Sequence, residues 1–177
     1  FKKLKLAHII NKYLKIISMN IKNTLKNMTI AEALLLRIDL ITKRDALQQR
    51  INNNLLIKAG AKLSVAPQSL IREAFAVNKE IYELTHRINA TNAATKTIHN
   101  RKILNVLADR QALKHQQMIL QQAIDKVNED YHLYKQDPSW IHTISMNDLQ
   151  KHYDEITTQL HQYNLEIQAS NWKIDLI

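Results

Sequence analysis

The chain has very little of the two residues that let a backbone turn sharply: its 177 residues include one glycine, Gly60, and two prolines, Pro67 and Pro138. Glycine-rich loops that bind nucleotide phosphates need several glycines in one short motif, so both common forms of that loop are excluded. The glycine-flanked serine of the α/β-hydrolases is excluded for the same reason. The sequence therefore predicts long regular elements, and no linear motif in it identifies catalytic residues.

Cysteine is absent, and aromatic residues make up only 6% of the chain. Without cysteine there is no disulfide, no thiolate nucleophile and no cysteine-ligated zinc. This absence is compatible with a reducing compartment, and we expect a cytoplasmic protein. Few aromatic residues among many Leu, Ile and Ala favour helix packing over a sheet.

Positive charge is concentrated in the first 27 residues. The net charge is +9, and residues 1–27 contribute seven lysines and no acidic residue. From Met28 onward 18 basic residues accompany 16 acidic ones, so the rest of the chain is nearly neutral. Binding to nucleic acid requires a concentrated positive charge on the folded domain. We therefore expect no nucleic-acid partner.

Residues 1–27 form a basic leader rich in Lys, Asn and Ile, and three interpretations of it stay open. We favour Met28 as the start of the native protein, with the leader as upstream sequence that is read through. The leader could instead be a basic amphipathic helix on an anionic membrane surface, or a targeting segment. A secretory signal is disfavoured because no uninterrupted apolar run follows the lysines. Membrane contact is expected only if the leader belongs to the native protein.

Beyond the leader, apolar residues recur at intervals of three and four, which indicates helices. Thr29 and Glu32 have the spacing of a capping box and open the first helix. That helix should end near Lys58, before Gly60, which suits a left-handed C-terminal cap. Pro67 fits the first turn of the second helix. The predicted stripe of the first helix is Ile30, Leu34, Ile38, Ile41, Ile51 and Leu55.

Two further helices follow. The third should run from about Asn100 to about Tyr134, and a short extended or β segment is predicted near 139–145. Ser145 then caps a fourth helix that ends near Asn171.

The apolar stripes are narrow, and in the second helix the stripe is an unbroken coiled-coil seam. We predict an all-α protein, a four-helix bundle or paired helical hairpins, as a single helical domain over residues 28–177. Long helices with narrow stripes need several partners, so we expect association with other copies of the chain. The seam of the second helix consists of Leu70, Ala74, Val77, Ile81, Leu84 and Ile88.

A Glu-x-x-His pair occurs twice, as Glu83/His86 and as Glu129/His132. Such pairs hold metals in di-iron bundles when both side chains project into the core. The seam positions place these pairs outside the apolar stripes. We therefore predict no metal site in the core and no cofactor, while a metal site at the surface or between subunits stays open.

Several polar or aromatic residues interrupt the helical pattern or lie at its ends. Side chains of this kind cap helices or fix register, or they contact a ligand or another subunit, and both interpretations stay open. The candidate interface or polar-junction residues are Asn89, Thr91, Asn92, Arg110, Gln117, Trp140, Asn171 and Trp172.

Four segments, residues 28–34, 88–95, 107–110 and 167–172, are similar to recurring segments of the septicolysin-like family of small bacterial proteins. The resemblance implies a helical, ring-forming homo-oligomer, a hexamer, with no assigned reaction. The family name also raises a membrane-active, cytolysin-type alternative. This chain has Gln111, His161 and Asn164 where the family pattern has charged residues, so an ion-pair network among them would be weakened here. We expect a non-enzymatic, self-assembling helical protein.

Overall fold

The computed structural model describes residues 28–177 except 57, 59–64, 138 and 142, and it gives the backbone but not the side chains of residues 131–134. Four helices account for most of these residues, and no β-strand occurs in the described ranges. The prediction of an all-α protein is therefore confirmed. The helices are α1 (Ile30–Asn54), α2 (Pro67–Ala94), α3 (Ile103–Gln136) and α4 (Met146–Asn171).

The first helix begins where the capping box predicts and ends earlier than the sequence predicts. The Thr29 amide donates to Glu32 Oε2 at 2.7 Å, and the Glu32 amide donates to Thr29 Oγ1 at 3.3 Å. The helix ends at Asn54 rather than near Lys58. Asn54 Nδ2 donates to the Arg50 carbonyl oxygen at 2.8 Å. Asn side chains that bond nearby backbone in this way weaken a helix. The predicted cap at Gly60 lies outside the described residues.

The other helix starts lie close to their predicted positions. Pro67 is the first residue of α2, and α4 begins directly after Ser145. The third helix begins at Ile103, three residues later than predicted, because Asn100 has a φ of 62° and cannot be helical.

In the 139–145 connector the Ser139 amide donates to Asp137 Oδ1 at 3.0 Å. This contact belongs to a turn, and the described residues of the connector form no β pairing.

The chain divides into two compact units. The described part of the first consists of residues 28–94 and 171–177, and it contains α1 and α2 paired as a hairpin. The segment 172–177 lies along the start of α1, where the Leu176 amide donates to the Met28 carbonyl oxygen at 2.8 Å. The buried apolar side chains of this unit form two clusters, Ala33, Leu84, Ile88 and Leu176, and Leu47, Ile51, Leu70 and Val77.

One part of the predicted α1 stripe is wrong. Ile38 is 56% exposed and Leu55 is 63% exposed, whereas Ala33 and Leu47 are buried. Ala33 and Leu47 are two heptads apart, so the stripe that faces α2 passes through them and leaves Ile38 on the outer side.

The second unit spans residues 95–170 and contains α3 and α4 as another hairpin. Gln117 Nε2 of α3 donates to Thr157 Oγ1 of α4 at 2.7 Å. The paired-hairpin prediction is confirmed, and the single-domain prediction stays a prediction. Among the described residues of this unit, the buried apolar side chains are Ile103, Val106, Ile124, Leu149, Leu160 and Ile167.

Candidate functional site

A tight connector, residues 95–102, leads into α3. The Thr97 amide donates to the Arg101 carbonyl oxygen at 2.8 Å, and the Asn100 amide donates to the Thr97 carbonyl oxygen at 2.9 Å. Asn100 adopts the left-handed conformation that closes this turn, and Lys96 Nζ donates to its Oδ1 at 2.9 Å. Asn tolerates this conformation better than most residues because its short side chain bonds locally.

The connector closes on a buried carboxylate. Glu166 of α4 is only 6% exposed. The Thr97 hydroxyl donates to its Oε1, and Arg101 Nη2 forms an ion pair with its Oε2. Arg101 Nε also donates a hydrogen bond to Oε1 at 3.2 Å, so the guanidinium binds the carboxylate through two nitrogens.

This environment holds Glu166 in its ionised form. The hydrogen bond from Arg101 lowers the pKa of Glu166 from its ordinary value of 4.5, against the opposing effect of burial. The Thr97 hydroxyl and the positive charges of Arg101 and His99 lower the pKa further. The same hydrogen bond raises the pKa of Arg101. A carboxylate engaged in this way is a structural anchor rather than a general base.

The guanidinium of Arg101 also stacks on an aromatic ring. Its carbon lies 4.7 Å from the centroid of the Tyr163 ring, and Nη1 donates to the Tyr163 hydroxyl oxygen at 3.3 Å. The Tyr163 hydroxyl donates to Asp109 Oδ2 on α3 at 3.4 Å. Glu166, Arg101, Tyr163 and Asp109 therefore form a continuous polar chain, which we call the arginine network.

A serine completes the attachment of the connector to α4. The Ile98 amide donates to Ser170 Oγ at 3.0 Å, and Ser170 Oγ donates to the Glu166 carbonyl oxygen at 2.7 Å. Both Thr97 and Ser170 are buried. Because buried polar groups are costly unless they are paired, these bonds fix the connector in one position.

An open cavity of about 550 Å³ lies beside the arginine network. Its lining combines polar side chains, among them His99, Arg101 and Gln162, with apolar ones, among them Ile98 and Leu165. This arrangement can bind a small molecule through hydrogen bonds and apolar contact.

A separate polar junction lies in the first unit, between α2 and the segment 172–177. Arg87 Nε donates to the Ile177 carbonyl oxygen at 3.0 Å, and Arg87 Nη2 donates to the Leu176 carbonyl oxygen at 3.3 Å. The Ile177 amide donates to Thr91 Oγ1 at 3.1 Å, and Thr91 is completely buried. The junction holds the 172–177 segment in place while the Leu176 side chain enters the core.

Three of the candidates from the sequence occupy inward positions. Thr91 lies in this junction. Gln117 bridges α3 and α4 through Thr157. Arg110 is half-buried, and its Nε is the one buried side-chain polar atom without a hydrogen bond among the described residues. Gln117 thus contacts α4 across the second hairpin, and its role in fixing register stays a prediction.

The other five candidates lie nearer the surface. Asn92 and Asn171 are half-buried, and Asn89, Trp140 and Trp172 are exposed. The eight candidates are divided between the two units, and none of them belongs to the arginine network. Their role in an interface stays a prediction.

The contacts of Glu166 with Thr97 and Arg101 were missed because these residues form no sequence motif. Thr97 and Arg101 lie 69 and 65 residues from Glu166 along the chain. The one signal is the position of Glu166 itself, next to Ile167 and three residues after Tyr163, both of which belong to the inward stripe of α4. A carboxylate in that position needs a partner.

The Glu-x-x-His pairs face outward where their side chains are described. Glu83, His86 and Glu129 are exposed, as the seam predicts, and the side chain of His132 lies outside the description. No group of three or more His, Cys, Asp or Glu in the described part of the chain could hold a metal ion.

Two helical hairpins, one of which closes on an ion pair between the buried Glu166 and the partly exposed Arg101, define a small all-α protein. The chain belongs to the DUF6847 family, a family of unknown function whose model matches residues 37–176. It is similar to a functionally unknown conserved protein from Corynebacterium diphtheriae, known from a crystal structure, with 22% identity and a TM-score of 0.78. That match covers 85% of this chain and 99% of the other, and at this identity it shows the fold alone.

No curated protein matches the chain. The septicolysin resemblance stays a prediction. Within the described ranges, no helix has both the length and the apolar character needed to cross a membrane.

Proposed function

We propose that this chain is a non-catalytic helical protein that associates with a second copy of itself through the outer face of α2. The supporting observation is a pair of aromatic side chains on that face, since Phe75 is 71% exposed and Tyr82 is 70% exposed. Exposed aromatic residues are typical anchors of protein interfaces.

The two rings belong to one stripe. They are seven residues apart, so they lie two turns apart on one side of α2. Val77 is two residues from Phe75, about 200° around the helix, and it is buried against α1. The aromatic stripe is therefore opposite the side that builds the hairpin, and it is available to a partner.

The charges near the stripe suit an antiparallel partner. If Phe75 lies against the partner's Tyr82, two-fold symmetry also places Tyr82 against the partner's Phe75. Arg72, at one end of the stripe, then comes within reach of the partner's Glu83 at the other end. Both side chains are exposed, so this contact is available twice in the pair.

The size of the patch predicts a weak association. Burying four aromatic side chains contributes about 6 to 12 kcal/mol at about 1.5 to 3 kcal/mol each. The entropic cost of association is about 4 to 15 kcal/mol. We therefore expect a dimer that dissociates on dilution, and the hexamer suggested by the resemblance would need a further interface.

Sedimentation equilibrium of the full chain at micromolar concentration tests the proposal. The wild type should show a concentration-dependent dimer, and the double variant Phe75→Ser/Tyr82→Ser should be monomeric. The control Leu104→Ser/Met118→Ser removes two exposed apolar side chains from α3 and should leave the dimer intact. A monomeric wild type, or equal loss of dimer in both variants, would contradict the proposal.

The membrane-active alternative is tested separately. Leakage of anionic vesicles by the full chain but not by residues 28–177 would assign that activity to the basic leader. Leakage with neither protein removes this alternative. We also propose a cytoplasmic location, which the absence of cysteine supports.

A further inference from the structure

We propose that the cavity beside the arginine network binds a small organic carboxylate with a short apolar chain. All the residues concerned lie between positions 95 and 170 of one chain, so this site does not depend on self-association.

The cavity presents a guanidinium that is already held in position. Arg101 is bound by Glu166 on one edge and lies over the ring of Tyr163. A ligand therefore does not have to immobilise this long side chain, which would otherwise reduce the affinity. The side chain remains 41% exposed, so its outer part is accessible.

The guanidinium keeps part of its hydrogen-bonding capacity. Three of its five N–H groups donate hydrogen bonds: the one on Nε and one on Nη2 donate to Glu166, and one on Nη1 donates to the Tyr163 hydroxyl oxygen. One N–H on Nη1 and one on Nη2 make no hydrogen bond to the described residues. Unused N–H groups of a guanidinium are suited to the oxygens of a carboxylate.

The local charge favours an anion over a cation. Of the charged side chains that line the cavity, Glu166 is buried and already bound by Arg101 and Thr97, whereas Arg101 is partly exposed. The charge that a ligand meets there is therefore positive. His99 also lines the cavity.

The apolar part of the lining favours an organic anion over inorganic phosphate. Ile98, Leu165 and Ala169 contribute it, and Ile98 and Leu165 are 43% and 52% exposed. An alkyl chain that covers these side chains removes apolar surface from water on both partners. A bare phosphate has no group to place there.

Titration of the isotope-labelled full chain with hexanoate, followed by amide NMR shifts, tests the proposal. Hexanoate should give saturable shifts confined to residues 97–101 and 162–169. Acetate has no chain and phosphate has no apolar part, so both should bind at least about tenfold more weakly, a factor equal to about 1.4 kcal/mol. Hexylamine, with the opposite charge, should give no saturable shift.

Two surface variants locate the ligand. Gln162→Glu places a negative charge in the cavity and should weaken hexanoate binding about tenfold through repulsion. Gln159→Glu makes the same change on α4 outside this cavity, and it should change the affinity less than about twofold. Leu165→Ser should weaken hexanoate binding and leave that of acetate unchanged.

The absence of saturable shifts with hexanoate would overturn the proposal. Equal affinity for phosphate or acetate would overturn the assignment to an organic carboxylate. Equal effects of Gln162→Glu and Gln159→Glu would show that the ligand does not bind in this cavity.

Discussion

In the first hairpin the helices are joined by aliphatic side chains along their length, from Leu47 and Leu70 to Ala33 and Ile88. In the second hairpin the end next to the 95–102 connector is closed by ionised groups, Glu166 and Arg101, with Thr97 and Tyr163 around them. Aliphatic contacts are non-directional and independent of pH, whereas charged hydrogen bonds are directional and depend on protonation. The first hairpin is therefore specified mainly by shape, and the end of the second is specified by hydrogen bonding.

Removing an aliphatic side chain from the first hairpin should have the largest effect. Leu84 is 3% exposed, and Leu84→Ala should lower the free energy of unfolding by about 3 to 4 kcal/mol through lost burial and the resulting cavity. Urea unfolding measures this loss. Leu35 is 54% exposed on α1, and Leu35→Ala should cost about 0.5 kcal/mol. Similar losses for the two variants would show that Leu84 is not a core residue.

Neutralising the carboxylate of the second hairpin should have the next largest effect. Glu166→Gln keeps the size of the side chain but removes the charge that pairs with Arg101, and it should cost about 2 to 3 kcal/mol. This is less than for a fully buried pair because Arg101 is 41% exposed. Hydrogen exchange of the amides of residues 97–101 should accelerate at the same time.

Glu155 provides the control for this substitution. It lies on the same helix and is exposed, so Glu155→Gln should change the free energy of unfolding by less than about 0.5 kcal/mol. Unchanged hydrogen exchange in Glu166→Gln would show that the carboxylate does not hold the connector.

Lowering the pH should remove part of the contribution of Glu166 to the free energy of unfolding, without any substitution. The pKa of Glu166 is lowered on folding, mainly by the hydrogen bond from Arg101. Its contribution is therefore complete above the unfolded pKa of about 4.5 and is lost as the pH falls through the lower folded pKa. Unfolding measured from pH 7 to pH 3 should show the gap between wild type and Glu166→Gln narrowing below that value. A constant gap would contradict the assignment.

The smallest effect should come from the polar junction of the first hairpin. Thr91→Val leaves the Ile177 amide without its acceptor and should cost about 1 kcal/mol in urea unfolding. Thr158 provides the control. Its Oγ1 donates to the Asp154 carbonyl oxygen of its own helix, and its side chain is exposed. Thr158→Val should therefore cost less, and an equal cost would mean that the contact with Ile177 contributes nothing.

The sequence predicts the helices well because their signals are local. The capping box at Thr29, the proline at the start of α2 and the Ser145 cap are all read from neighbouring residues, and the structure confirms each start. The end of α1 was placed four residues too late because three consecutive asparagines weaken a helix without a strong stop signal.

The candidate site could not be predicted from local sequence signals. Glu166, Thr97 and Arg101 come together only when α4 returns along α3, and nothing in their spacing encodes that return. Gln117 could be singled out because a single polar residue in an apolar seam is visible locally, whereas its contact with Thr157 could not be predicted, and its role in an interface stays a prediction.

The left-handed turn at Asn100 also restricts how the connector can vary. Glycine reaches this backbone conformation freely and aspartate reaches it with little difficulty, whereas other residues lose roughly 1 to 2 kcal/mol there. Position 100 therefore accepts only a few types of amino acid without loss of stability. An exchange to valine or isoleucine would strain the backbone of the connector that carries Arg101.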